Sequence, residues 1–170
     1  MPTVDFDDLF RTTYPRVRAY ARTMASPADA DDVVAEVYAI AWRRQHDIPR
    51  GAALGWLIGV TRRVLANTRR GERRVAALRT LIGAERDVEV PDPADQIADP
   101  TLRAALLSLA PLDREAVILT AWFDLSSADA AQALGITPAA FRMRTTRARR
   151  RLRAQLATTN SMEHPQWTTP

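Results

Sequence analysis

Arginine side chains dominate the segment 137–156, which carries seven arginines and no acidic residue. The residues before it, 126–134, have the composition of a short helix, and Gly135-Ile136 indicates a tight turn. Thr137-Pro138 then predicts the start of a second helix. A helix, a short Gly-containing turn and a basic second helix are typical of a helix-turn-helix unit, whose second helix lies in the DNA major groove. The segment therefore predicts binding of double-stranded DNA.

The spacing along this last helix divides its residues between two faces. An inward stripe follows the positions i, i+4, i+7, i+11 and i+15, which are Phe141, Thr145, Ala148, Leu152 and Leu156. The outward residues near the start of the helix can then reach base edges, namely Arg142, Met143, Thr146 and Arg147. The arginines further along are better placed for phosphates. The alternative is an arginine-rich helix end that only solvates an ordinary bundle.

A second basic block lies at 48–74, with seven arginines against one glutamate. The pattern predicts a helix over about 53–70 with Leu57, Val60 and Val64 facing inward. Trp56 near the start of this helix and paired arginines at its end could stack bases and bind backbone phosphates. The alternative places Trp56 in the core and leaves the arginines as a solvated face.

Acidic residues are concentrated on another predicted helix, nearer the N-terminus, which begins at Ser26-Pro27 and ends near Arg44. Its four carboxylates are Asp29, Asp31, Asp32 and Glu36. They are spread around the helix and no histidine accompanies them, so a protein-docking face is favoured over a metal site. Neither histidine of the chain lies in a catalytic motif. We therefore expect a binding protein rather than an enzyme, with no cofactor and no metal.

The bulk composition fits this expectation. A chain of 170 residues has room for one domain or two small ones, and with no cysteine it forms no disulfide. No apolar run approaches the roughly 20 residues that span a bilayer, so we expect a soluble, cytoplasmic protein without membrane insertion. The patterns predict an all-α fold of two small helical domains. The expected divisions are a first domain at 1–74, an acidic flexible linker at 75–98, a four-helix domain at 99–156 and a disordered tail at 157–170.

Three segments together resemble one known family. DADDVVAEVYAIAW (29–42), GWLIGVTRRVLANTRR (55–70) and the stretch 109–152, which includes the helix-turn-helix, occur in the order and spacing of bacterial RNA polymerase sigma factors of the extracytoplasmic-function subfamily. The resemblance covers about 130 of the 170 residues. It implies a factor that binds core RNA polymerase and directs promoter-specific transcription initiation at −10 and −35 elements. It also implies regulation by an anti-sigma factor.

The resemblance also implies roles for individual residues. The acidic helix would dock on the β′ clamp helices through Asp29, Asp32, Glu36 and Arg43, and the β flap is a further implied contact. The middle basic block would capture and melt the −10 element through Trp56, Arg62, Arg63, Asn67, Arg69 and Arg70. The last helix would read the −35 element through Arg142, Met143, Arg144, Thr146, Arg147, Arg149 and Arg150.

One other function stays open from the sequence. A stand-alone helix-turn-helix transcriptional regulator would have the same DNA-binding unit, with an N-terminal domain for sensing or dimerisation. Such a protein would be a dimer and would bind a palindromic site without polymerase.

Overall fold

The structure is a computed structural model that describes residues 5–81, 94 and 97–163. These residues form α helices and one short 3-10 helix, Gln45–Asp47, and contain no strand. The α helices are α1 (Phe6–Met24), α2 (Pro27–Arg43), α3 (Ala53–Leu81), α4 (Pro100–Leu107), α5 (Pro111–Ala121), α6 (Ser127–Leu134) and α7 (Pro138–Glu163). The predicted all-α class is confirmed. None of these helices combines the length and apolar character needed to cross a membrane.

Helix starts follow capping residues in the sequence. The Asp5 carboxylate accepts from the backbone N–H of Asp7 at 3.1 Å, and the Ser26 hydroxyl accepts from that of Asp29 at 3.3 Å. Asp99 accepts from the backbone N–H of Thr101 at 2.8 Å, which starts α4. Each cap satisfies a helix N–H that has no partner inside the helix.

Two helices extend beyond the ends that the sequence predicted. Helix α3 continues to Leu81, so the expected linker at 75–98 is wrong for its first seven residues. Helix α7 continues to Glu163, so the expected disordered tail at 157–170 is wrong for residues 157–163. Both extensions contain helix-tolerant residues and no proline, and Gly71 costs only about 1 kcal/mol within a helix. The rest of the predicted linker (except 94, 97 and 98) and the rest of the tail, with Trp167, lie outside the described residues.

Helices α1, α2 and α3 pack on one another around fully buried side chains. Tyr20 and Val17 of α1 meet Val37 of α2 and Leu57 of α3 in one apolar cluster. In the second half, α7 packs on α4, α5 and α6. A smaller cluster there joins Leu106 of α4 with Ala148 of α7.

The two halves also pack against each other. Helix α6 lies along α3, and this is the most extensive helix pair among the described elements. Phe123 and Leu125, which follow α5, belong to the same apolar cluster as α1, α2 and α3. The Tyr20 and Phe123 rings meet edge to face with centroids 5.5 Å apart. The sequence predicted two domains but left their placement open; in the structure their cores are continuous.

Candidate nucleic-acid interface

The connection between α6 and α7 has the geometry of a helix-turn-helix turn. Gly135 ends α6 in the left-handed conformation, with φ +68°, which glycine adopts without a steric penalty. The backbone N–H of Ile136 returns to the carbonyl of Ala131 at 3.0 Å and closes the helix end. The Thr137 hydroxyl then accepts from the N–H of Ala140 at 3.2 Å at the start of α7. These local bonds fix the direction in which α7 leaves the turn.

The two faces of α7 lie as the spacing predicted. Phe141, Thr145 and Ala148 are buried, and Leu152 and Leu156 are partly buried. The side chains predicted to reach bases are all exposed: Arg142, Met143, Thr146 and Arg147. Met143 is 65% exposed although it is apolar. The start of α7 therefore presents an uncovered cationic surface, and its contact with DNA remains a prediction.

Arg144 differs from its neighbours on α7. Its Nη1 donates to Oδ1 of Asp113 at 2.7 Å, and Asp113 lies in the first turn of α5 with only 13% of its side chain exposed. Arg151 approaches the other carboxylate oxygen at 3.7 Å. Arg149 donates to the Thr120 hydroxyl at 3.2 Å, also on α5. Arg144 therefore attaches α7 to α5, whereas Arg150 is exposed.

The predicted −10 residues of α3 separate into different environments. Trp56 is partly buried and packs against the main core, whereas Arg63 and Asn67 are exposed. Arg70 is exposed and donates to Oδ1 of Asn67 at 2.5 Å. Arg69 donates to the Met24 carbonyl at 2.8 Å, at the end of α1. The exposed members can reach a nucleic acid directly.

Arg62 is held between the two halves. Its Nε and Nη2 donate to the two carboxylate oxygens of Glu115 at 2.6 Å and 3.0 Å, and its Nη1 donates to the Ala133 carbonyl at 3.0 Å. The Tyr20 hydroxyl donates to the same carboxylate at 2.6 Å. Only 25% of the Arg62 side chain and 11% of the Glu115 side chain are exposed. We call Tyr20, Arg62, Glu115 and the Ala133 carbonyl the interdomain network.

Burial and charge act in different directions on this network. Burial raises the pKa of Tyr20 well above its usual range, and the Glu115 carboxylate adds to that effect. Burial by itself lowers the pKa of Arg62, but the charge and hydrogen bonds of Glu115 more than offset it, so that the net pKa of Arg62 is raised. Arg62 is therefore a permanent cation that is paired inside the protein.

A cleft of about 350 Å³ opens beside the interdomain network. Trp56, Gly59, Arg62 and Arg63 line one wall, and residues 132–135 of α6 and its turn line the other. Of the candidate single-strand-binding residues of α3, Trp56, Arg62 and Arg63 thus face the helix-turn-helix unit.

The predicted docking residues on α2 lie on the surface of the described part of the chain. Asp29, Asp32, Glu36 and Arg43 are all exposed, and Asp29 accepts from the Ser26 hydroxyl at 2.5 Å. The neighbouring Asp31 pairs with Arg18 at 2.8 Å, and this hydrogen bond lowers the pKa of Asp31.

An aromatic side chain next to this face was missed from the sequence. Trp42 at the end of α2 is 59% exposed and stacks edge to face on Phe6, with ring centroids 5.0 Å apart. Among the described residues no group of three or more His, Asp or Glu could hold a metal ion. The surface of α2 thus offers charge and an aromatic ring for contact with a protein.

The sequence interpretation also missed the residues that join the two halves. Glu115 and Tyr20 carry no motif, because their partners are distant in the chain. A signal for the close packing was present in Gly55 and Gly59, one turn apart on α3, and in the alanine-rich sequence of α6. Small residues at this spacing allow two helices to approach closely.

Both halves of the chain match known families. Residues 9–75 match the family described as Sigma-70 region 2, and residues 101–152 match the family described as Sigma-70, region 4. The RNA polymerase sigma factor NccH of Alcaligenes xylosoxydans xylosoxydans is 31% identical over 149 residues, which cover 80% of this chain and 78% of that protein.

Solved structures show the same fold. The sigma factor RpoE of Bartonella quintana, in a complex with the anti-sigma factor NepR, is 26% identical, with a TM-score of 0.64 over 90% of this chain and 97% of that one. CnrH, in a complex with the cytosolic domain of CnrY, is 23% identical, with a TM-score of 0.58 over 90% and 88% of the two chains. At that identity CnrH supports the fold alone.

Proposed function

The chain belongs to the extracytoplasmic-function subfamily of RNA polymerase sigma factors, and from this premise we propose how its residues divide the work of promoter recognition. A sigma factor binds core RNA polymerase and directs transcription initiation at promoters. The family acts through binding and not through catalysis, and we propose the same for this chain. The stand-alone dimeric regulator is not favoured, because the region 2 match accounts for the N-terminal half.

Reading of the −35 element is assigned to α7. The observation that carries this assignment is the exposed start of α7 behind a well-formed helix-turn-helix turn, with Arg142, Met143, Thr146 and Arg147 uncovered. Arginine donates two parallel hydrogen bonds to guanine, and an apolar side chain can contact a thymine methyl group. Arg149 and Arg150 lie further along the helix and are assigned to phosphates. Arg144 attaches α7 to α5 through its hydrogen bond to Asp113.

Capture of the −10 element is assigned to α3. Arg63, Asn67 and Arg70 are exposed on this helix and are proposed to bind along the backbone of one DNA strand. Trp56 borders the cleft and is proposed to stack on an unstacked base. Arg62 and Arg69 belong to the same surface by position, although both have partners within the protein.

Docking on core polymerase is assigned to α2. Its exposed charges, Asp32, Glu36 and Arg43, stand clear of the second half and can contact the β′ clamp helices. The β flap is proposed as the contact of the second half. Because polymerase and promoters are its partners, we propose that the protein acts in the cytoplasm without a cofactor.

An anti-sigma factor is proposed as the regulatory partner. The Bartonella quintana relative was solved with NepR, and the shared fold covers 90% of this chain and 97% of that relative. A protein that covers the α2 face or the exposed start of α7 would block polymerase or the promoter.

Run-off transcription from a pool of random promoters tests the proposed function. Core polymerase with this protein should yield transcripts that core polymerase alone does not, and their templates should share two spaced sequence elements. The matched control selects DNA with the protein alone. If the protein adds no transcripts and binds palindromic DNA without polymerase, the proposed sigma function is wrong and the protein is a stand-alone dimeric regulator.

A further inference from the structure

We propose that the cleft between α3 and the turn after α6 is a binding site for a free adenine nucleotide. This inference goes beyond the proposed function, which assigns Trp56 and Arg63 to the −10 strand and gives the protein no small-molecule ligand. The cleft encloses about 350 Å³, at the small end of the roughly 300–1,000 Å³ range of small-molecule sites. A cleft of this size suits a single nucleotide better than a longer strand.

The polar side chains at the cleft carry the first step of the argument. Arg63 and Gln132 line it, and neither has a hydrogen-bond or ion-pair partner among the residues that the structure describes. Arg62 differs from them, because Glu115 and the Ala133 carbonyl already accept from its three guanidinium nitrogens. The cleft therefore offers a ligand one cation and one amide beside an indole ring.

The indole ring and the amide fit two surfaces of a base. Trp56 packs against the main core with part of its surface and borders the cleft with another part, so a base can stack on it. A purine covers more of an indole ring than a pyrimidine does, because its ring system is larger. The amide of a glutamine matches adenine, since it donates to N7 and accepts from the N6 amino group. Gln132 is therefore assigned to the edge of an adenine base.

The charges of the two walls set the direction of the ligand. Residues 132–135 belong to the C-terminal end of α6, where backbone carbonyls give a partial negative charge. That end repels a phosphate and attracts the amino group of adenine. Arg63 lies on the opposite wall, in α3, and a guanidinium can donate two parallel hydrogen bonds to a phosphate. The base thus lies toward α6 and the phosphate toward Arg63.

A nucleotide in the cleft occupies two side chains that the −10 assignment also uses. Trp56 stacks on one base at a time, and Arg63 holds one phosphate at a time. The bound nucleotide and the −10 strand therefore exclude each other, a consequence that rests on the proposed function. The binding itself needs neither polymerase nor a promoter.

Isothermal titration calorimetry of the full chain with AMP tests the site. Binding should saturate at one AMP per chain, and Arg63→Ala should raise the Kd about tenfold, the size expected for loss of a charge-assisted hydrogen bond. Arg74→Ala is the matched control, because Arg74 is also an exposed arginine of α3 and does not line the cleft.

The base assignment has its own comparison. The parent should bind AMP more tightly than GMP or UMP, and Gln132→Ala should remove that preference while it keeps binding of all three. Circular dichroism shows whether each variant keeps its helices. If Gln132→Ala does not fold, the order of the three nucleotides on the parent decides the base alone.

Photochemical cross-linking locates the ligand on the chain. Azido-AMP should attach to peptides from the two walls, around Trp56 and around residues 132–135, and an excess of AMP should suppress both products. Mass spectrometry of the digested chain identifies the peptides. Cross-links confined to α7 would place the nucleotide on the proposed DNA-reading face and overturn the inference.

The remaining outcomes separate the inference from the proposed function. Absence of saturable AMP binding would overturn the site, and equal binding of AMP and inorganic phosphate would reduce it to an anion site and overturn it too. Equal losses in Arg63→Ala and Arg74→Ala would also contradict it. A single-stranded −10 oligonucleotide that binds where AMP does not would assign the cleft to DNA alone. A chain that binds AMP but adds no transcripts in the run-off experiment would instead reject the sigma function and keep the nucleotide site.

Discussion

The arginines of α7 divide by what their side chains touch. Arg147 is exposed beside Met143, Arg150 is exposed one turn later, and Arg144 is bonded to Asp113. Residues of one type on one helix thus have different surroundings, and we propose separate tasks for them in reading bases, contacting phosphates and supporting the helix. The first two tasks can be separated by the sequence and salt dependence of binding.

Arg147→Ala should weaken binding to the selected −35 element by about 1–3 kcal/mol and relax the preference at one position. Arg150→Ala, the matched control at a proposed phosphate contact, should weaken binding to all DNA sequences alike. It should also reduce the slope of log affinity against log salt by about 1. Fluorescence anisotropy with the selected and shuffled duplexes measures both. An unchanged sequence preference in Arg147→Ala would reject its contact with a base.

Asp32→Arg should abolish detectable binding to core polymerase and leave the free energy of unfolding within about 0.5 kcal/mol of the parent, because the side chain is exposed. Glu72→Arg makes the same change of charge at an exposed site of α3 and serves as the control. Surface plasmon resonance on immobilised core polymerase compares them. Equal binding by both variants would place the docking surface elsewhere.

The sequence could predict whether a residue lies on the inward or the outward face of its helix, but not which distant residue it contacts. The 3.6-residue period placed Phe141 inward and Arg147 outward, as the structure shows. The partner of Arg62 is Glu115, 53 residues later, and no local pattern relates them. Arg62 and Arg144 were therefore assigned to DNA with their neighbours, although each has a carboxylate partner inside the protein.

At the scale of elements, the support of α7 depends on α5. Asp113 is nearly buried in the first turn of α5 and receives Arg144 from α7 at 2.7 Å, with Arg151 further away at 3.7 Å. A partly buried charged hydrogen bond contributes more than an exposed one, because water competes for it less. Asp113 thus attaches α7 to the start of α5.

Asp113→Asn should lower the free energy of unfolding by about 2 kcal/mol and weaken −35 binding although it touches no DNA. Arg151→Ala should lower it by less than about 1 kcal/mol, because the pair is long and Arg151 is exposed. Urea unfolding followed by circular dichroism gives both values. An equal loss in the two variants would show that the Arg144 bond adds no support to α7.

Helix starts were easier to predict than helix ends. Ser26-Pro27 and Thr137-Pro138 each combine a capping hydroxyl with a proline that fits only the first turn. Gly71 follows the predicted end of α3 but costs only about 1 kcal/mol within a helix, and no glycine or proline follows the predicted end of α7, so both helices continue. Both helices therefore end several residues later than the sequence predicted.

At the scale of the whole molecule, the two halves share one apolar core. Val37 of α2 and Leu57 of α3 belong to the same buried cluster as Leu119 of α5 and Ala131 of α6. Each half alone would expose part of this cluster to water, at a cost of about 25 cal/mol per Å² of apolar surface. Sequence periodicity shows which face of a helix is apolar but not which helix covers it, so this arrangement was not predictable.

A shared core predicts that both halves unfold together. In native-state hydrogen exchange, the slowest amides of α2 and of α5 should have the same opening free energy in the parent chain, because neither half can lose its partner without exposing apolar surface. Gly55→Ala should separate the two values, since the added methyl group strains only the contact between α3 and α6. Gly59→Ala, with its Cβ at ordinary contact distance, should keep them equal. If α2 and α5 already exchange with different free energies in the parent, the halves are independent domains and the contact between α3 and α6 contributes little to the stability of the free protein.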